Sequence, residues 1–178
     1  KGRAGRLQEG KCIRLWNEFD PRKKELQPEI LRTDLSELVL ECADRGVYDL
    51  SKIQWLDSPG KAAWETSVNL LKTLGLIKED LRISEKGKCA LKLGLHPRLA
   101  SIVLVGKISG CDWEKLVLEY SSYGESSREI KSRFLQDLNH RLEKLNLSLL
   151  KKEIKELKDS KLLILEGYPD RLAKRIEE

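Results

Sequence analysis

Apolar residues recur along this chain at helical spacing, between residues that start and stop helices, and that rhythm leaves little of the sequence free for a sheet. Asp34 precedes Leu35, Leu38, Val39 and Cys42, with Glu37 three residues on as a capping-box partner and Gly46 as a stop. Ser58 and Pro59 open a second helix expected from about Pro59 to Thr73, with Ala63, Leu70, Leu71 and Leu74 on one face and Gly75 at its end. Two short apolar stretches, Gly75–Lys78 and Leu81–Ser84, then flank Glu79-Asp80 and have the length of a two-stranded wing. Helices followed by a small hairpin predict a winged-helix domain over residues 29–94.

Helical spacing resumes from Ser84 through Leu91 and Leu93, stops at Gly94 and restarts at Pro97 with Leu99, Ile102 and Val103. Three further helices are predicted: one on Trp113, Leu116, Val117 and Tyr120; one on Ile130, Phe134, Leu138 and Leu142; one on Leu147, Leu150, Ile154 and Leu157. A last segment runs from Tyr168 to Glu178. The expected fold is mainly α, a winged-helix domain followed by a small helical bundle over residues 95–178.

The first residues break this pattern. Cys12, Ile13, Leu15 and Trp16 read as a short strand between Gly10 and Asp20-Pro21, and a lone strand cannot satisfy its own backbone groups. It is expected to belong to a sheet outside this sequence or to lie loosely on the rest, so residues 1–28 are assigned to the tail of another domain and a charged linker.

Of the 178 residues, 35% are charged and 40% hydrophobic, the balance of a globular, helix-rich chain, while the net charge of +5 permits nucleic-acid contact without requiring it. No apolar run approaches the roughly 20 residues of a membrane span, so a cytoplasmic protein without membrane contact is expected. Cys12, Cys42, Cys89 and Cys111 lack metal-ligand spacing and read as buried free thiols, so no metal is expected. His96 precedes Pro97 at a helix start, a capping or packing position rather than a catalytic one.

The chemistry-bearing stretch is Gly2-Arg3-Ala4-Gly5-Arg6, two arginines three residues apart, each behind a glycine that lets the backbone approach a polyphosphate closely. It resembles the end of the sixth conserved motif of DEAH-box RNA helicases, Q-R-x-G-R-A-G-R. Pro28-Glu29-Ile30-Leu31-Arg32-Thr33-Asp34-Leu35 resembles that family's P-E-I-x-R-x-x-L entry into the helicase-associated region. Trp55-Leu56-Asp57-Ser58-Pro59-Gly60, Leu74-Gly75 and Leu95-His96-Pro97-Arg98-Leu99-Ala100 follow in the family's order. Tyr168-Pro169-Asp170-Arg171-Leu172-Ala173 resembles the Y-P-D-R-I-A stretch of the HrpB-like branch.

The resemblance implies the C-terminal accessory region of an ATP-dependent RNA helicase: the end of the second RecA-like domain, the winged helix and a helical ratchet domain. Such a region helps form the nucleic-acid channel and couples ATP hydrolysis to strand movement. It also implies that Arg3 and Arg6 act as catalytic arginine fingers and that Gly2, Arg3, Gly5 and Arg6 contact ATP. A preorganised guanidinium at a transferring phosphoryl group is worth about 10³–10⁵ in rate. ATP and Mg are the cofactors implied for the full-length parent. No P-loop occurs here, so this fragment is expected to bind neither and to lack activity alone. The implied partners are single-stranded RNA or another nucleic acid and the missing RecA-like domains.

Blander readings stand beside these. Arg128, Lys131, Arg133 and Arg141 could meet a nucleic-acid backbone, but Glu129, Asp137 and Glu143 interleave with them as on an ordinary solvated helix face. Lys151, Lys152, Lys155, Lys158 and Lys161 alternate with acids in the same way. Trp55 and Trp64 fit core packing better than base stacking. The alternative function is a stand-alone winged-helix DNA-binding regulator using the Pro59–Thr73 helix, which offers mainly Lys61, Asn69 and Lys72 around Glu65. A protein-interaction module docking through the edge near Ile13 and Trp16 is a third.

Overall fold

This computed structural model describes residues 7–11, 13, 15, 27–121, 126–154, 156–157 and 159–171. In chain order its helices are α1 (Ser36–Asp44), α2 (Lys61–Thr73), α3 (Glu85–Leu93), α4 (Pro97–Ser109), α5 (Glu114–Tyr120), α6 (Arg128–Glu143) and α7 (Leu150–Glu153). Tight 3-10 turns occupy Glu29–Leu31, Leu50–Lys52 and Ser160–Glu166. The chain is mainly helical, as its periodicity predicts.

Helix α4 lies at the centre because most of its surface is apolar: Leu99, Ala100, Ile102, Val103, Leu104 and Val105 are all at most 7% exposed. It packs on α3, on α5 and on the Ser160–Glu166 turn, whose Leu163 is fully buried, while α1 packs on α2 and α3, and α6 on α3. Fully burying a side chain of this size contributes about 1.5–3 kcal/mol, so the two flanks of α4 are joined by its own apolar surface. Gly106 makes the close approach possible: a Cβ there would sit 2.7 Å from Cβ of Trp113 and 3.0 Å from Cδ2 of Leu163.

The start of α2 differs from expectation. The Ser58 hydroxyl bonds to the Pro59 carbonyl oxygen at 3.4 Å instead of capping a helical N–H, and Gly60 is extended at φ −64°, ψ 135°, so the helix begins at Lys61. Its end holds, with Gly75 at φ +68° donating to Lys72 O. Asp34 acts one step away from a standard cap: its Oδ1 accepts from Ser36 N at 2.7 Å, while Leu35 is the residue at the helix boundary.

The predicted wing contracts to a single antiparallel bridge between Ile77 and Ile83. Ser84 is the reason. Its hydroxyl accepts from Gly87 N at 3.0 Å and donates to Gly75 O at 2.7 Å, so the chain enters α3 before a second pair can form. Gly87 lies so close to the preceding segment that a Cβ would fall 2.1 Å from Leu76 O.

The expected third bundle helix shortens to the single turn of α7. Ile154 is extended at φ −90°, ψ 125°, and Leu157 N donates to Ser109 Oγ at 2.9 Å, so the chain crosses the end of α4 instead of continuing its own helix. Of the expected N-terminal strand, the described Lys11, Ile13 and Leu15 lie outside any regular element, and Ile13 and Leu15 are 69% and 92% exposed. Cys12 and Trp16 lie outside the described residues.

Candidate nucleic-acid interface

Two Pro-marked stretches far apart in the sequence meet at the N-terminus of α4. His96 is the N-cap: its Nδ1 accepts from Arg98 N at 3.3 Å, its Nε2 lies 3.2 Å from Ser36 Oγ, and Asp34 Oδ1 stands 3.7 Å from that nitrogen. Burial alone pulls the Asp34 carboxyl upward. The Ser36 hydroxyl and N–H, with the nearby Arg98 charge, outweigh it and hold the group below its ordinary value.

Arg98 is only 8% exposed, and both terminal nitrogens of its head are used. Nη1 donates to Gly167 O at 2.9 Å and to Asp170 Oδ1 at 2.5 Å, while Nη2 donates to Asp170 Oδ2 at 2.8 Å. This bidentate fork, opposed only in part by burial, holds the Asp170 carboxyl down at about 2. The same guanidinium lies 5.1 Å from the centre of the Tyr168 ring, Arg171 lies 5.5 Å from it, and the Tyr120 ring packs against it at 5.5 Å with a 43° tilt. Gly167 lies tight on α4, since a Cβ would be 2.7 Å from Arg98 O.

A cleft of about 590 Å³ opens beside this junction, with Tyr120, Tyr168, Arg171, His96 and Arg141 among its lining residues. Two aspartates, Asp34 and Asp137, also line it, against three arginines, Arg98, Arg141 and Arg171.

The residues proposed from sequence fare differently. Gly2, Arg3, Gly5 and Arg6 lie outside the described residues. Arg128 and Arg133 share an exposed hollow on α6 with Glu129, Ser132 and Gln136, and Lys131 is half-buried nearby on the same helix. Arg141 leaves that group: its Nη1 donates to Leu93 O at 2.8 Å, closing the C-terminus of α3, and its Nη2 donates to Asp137 Oδ2 at 2.5 Å. Lys151, Lys152 and Lys161 are exposed, and Lys155 and Lys158 lie outside the described residues.

On α2, Lys61 pairs with Glu65 at 3.7 Å and Lys72 with Glu79 at 3.0 Å, so the helix offers little positive charge to a DNA groove. Trp64 is buried, and Trp55 donates from Nε1 to Leu50 O at 2.9 Å, so both belong to the packing. Cys42 and Cys89 are buried thiols whose pKa values burial pushes up. Among the described residues no group of three or more His, Cys, Asp or Glu is placed to hold a metal ion, and no single helix is long and apolar enough to cross a membrane.

Sequence reasoning missed Arg98 as the centre of the site, and it missed Lys86, whose buried ammonium donates to Leu74 O at 2.8 Å and closes the end of α2. A signal for the first existed: the cation after Pro97 and the anion after Pro169 are complementary charges on two turn-marked segments.

No protein-family model matches the chain. The chain is 34% identical over 136 residues to the ATP-dependent RNA helicase HrpA of Escherichia coli (strain K12), covering 72% of this chain and 10% of that protein. It is 38% identical over 112 residues to the probable ATP-dependent RNA helicase DHR2 of Saccharomyces cerevisiae, covering 62% of this chain and 15% of that protein. The crystal structure of the E. coli DExH-box NTPase HrpB superposes with a TM-score of 0.64 at 26% identity, over 99% of this chain and 23% of that one. The chain therefore spans only a small part of the length of the proteins it matches. On that shared sequence and fold, the chain belongs to the HrpA/HrpB-type DEAH-box ATP-dependent RNA helicase family.

Proposed function

We propose that this chain works as an accessory region of an ATP-dependent RNA helicase, forming part of the wall of the nucleic-acid channel and passing the motor's ATP-driven movement to the strand. The observation that carries the reading is the 34% identity to HrpA over 136 residues, a stretch that makes up 10% of that helicase and leaves room in the parent for the motor domains. The chain would be divided into a RecA-like tail and linker (1–28), a winged helix (29–94) and a ratchet-like bundle (95–178). Its partners would be single-stranded RNA and the RecA-like domains of the same protein, in the cytoplasm.

In the parent, ATP and Mg would be held mainly by those motor domains. Arg3 and Arg6, brought close by Gly2 and Gly5, would place guanidinium charge on the transferring phosphoryl group, where it stabilises charge that grows only in the transition state. The accessory region supplies shape and charge, and contacts to backbone and bases need no sequence code.

The test is a titration of the purified chain with a fluorescent single-stranded RNA and with a matched DNA duplex across salt concentration. Sequence-blind, salt-sensitive binding that prefers the single strand is expected. Tight duplex binding with base preference would replace the reading with the DNA-binding regulator.

A further inference from the structure

We propose that the cleft between Tyr120 and Arg171 is a binding site for one nucleotide unit, its base lying on the Tyr120 ring and its phosphate on the Arg171 guanidinium. The two residues approach the cleft from distant parts of the chain, Tyr120 from the last turn of α5 and Arg171 from the turn after Gly167. Each stands 5.5 Å from the Tyr168 ring, and all three residues line the same cleft.

Their neighbours are already engaged, which is what singles these two out. Arg98 is held by Asp170 and Gly167, Arg141 by Asp137 and Leu93. Asp34 accepts from Ser36 and faces His96. Arg171 is exposed, and among the described residues no carboxylate lies within ion-pair distance of its guanidinium. Tyr120 is 48% exposed although its ring is fixed against Tyr168. A flat π-face held in place near an exposed guanidinium that rests on the Tyr168 ring is the pairing that takes a base and its phosphate together. The volume of about 590 Å³ falls within the range of about 300–1,000 Å³ usual for small-ligand sites.

The nucleotide unit could come from a single strand or from a free mononucleotide, and the experiment separates these sources. Its RNA arm rests on the proposed single-strand role. A fluorescein-labelled oligo(A) RNA is titrated into the chain and its variants Tyr120→Ala, Tyr120→Phe, Arg171→Glu and Lys61→Glu, and AMP is titrated separately into the chain under 1H–15N NMR. Base stacking is worth about 1–3 kcal/mol, so Tyr120→Ala should weaken RNA binding about 5- to 150-fold, with Tyr120→Phe close to the parent chain. Arg171→Glu should weaken it and flatten its salt dependence, Lys61→Glu should leave it within about twofold, and AMP should shift the amide signals of Tyr120, Tyr168 and Arg171.

If RNA binds but neither Tyr120→Ala nor Arg171→Glu weakens it, the site is overturned and the single-strand role stands. If RNA does not bind while AMP shifts those three signals, the single-strand role falls and the site stands as a mononucleotide site. Silence in both arms overturns both.

Discussion

Arg98 and Asp170, 72 residues apart in the chain, meet through two N–H···O bonds of 2.5 and 2.8 Å. The arginine is nearly buried and the aspartate is 48% exposed, so the two sides of the pair are not equivalent. Removing the aspartate leaves a desolvated cation with the Gly167 carbonyl and the face of the Tyr168 ring but no counter-charge bonded to it, whereas removing the arginine leaves an anion that water can reach.

Asp170→Ala should therefore cost about 2–3 kcal/mol, at or below the lower end of the roughly 3–5 kcal/mol of a fully buried pair, because one partner is half exposed. Arg98→Lys should recover little of what Arg98→Ala loses, since an ammonium cannot make the fork to both carboxylate oxygens. Urea unfolding midpoints of the three variants check the order, and an Arg98→Lys variant as stable as the parent would refute the role given to the fork.

Acid should dissolve the same link in a predictable window. Asp170 titrates near 3.8 when unfolded and about 2 in the fold, so its contribution is complete above the first value and lost as pH falls through the second. The stability difference between the parent chain and Asp170→Asn should shrink steadily across that interval. A difference independent of pH there would show that the carboxylate charge is not what matters.

Gly87→Ala sets two effects against each other. In an exposed helix interior the change would stabilise by about 1 kcal/mol, but here the new methyl meets Leu76 O, a backbone atom, at 2.1 Å. Overpacking of that kind costs about 1–3 kcal/mol, so net destabilisation is expected in thermal or urea melts.

Lys86 provides the alkaline counterpart. It is 9% exposed, burial pulls its pKa below the usual 10.5, and Glu166 offsets this only in part. The unfolded chain keeps that proton to higher pH than the folded one, so stability climbs with pH in the window just below 10.5. Relative to Lys86→Met, the parent chain should gain stability between neutral pH and about 10, measured as a shift in urea midpoint. A constant gap would mean that the buried ammonium costs nothing.

Much of this fold was legible because local chemistry sets it. Ser84, Gly94 and Pro97 mark the ends of α3 and α4 by capping and backbone restriction alone, and α4 is buried because apolar side chains cover most of it. What failed to read out depends on partners distant in sequence. Leu147, Leu150, Ile154 and Leu157 keep helical spacing, yet Ser109 takes the Leu157 N–H and the helix stops after one turn. Ile77 and Ile83 look like strands until Ser84 is taken by Gly87. At the site, the motif residues Arg98, Tyr168 and Asp170 were visible one by one, but their meeting needed the packing of the 160–170 segment on α4. The residues expected to touch ATP, Arg3 and Arg6, lie outside the described residues.

The burial of α4 also sets how the chain can open. Its amides from Leu99 to Val105 have no side facing solvent, and they are shielded on one flank by α3 and on the other by the turn carrying Leu163. Peeling either flank away uncovers the same helix, so neither flank has a cheap partial opening of its own. Amide exchange along α3, α4 and the turn carrying Leu163 should then rise and fall together, because the three open as one cooperative unit.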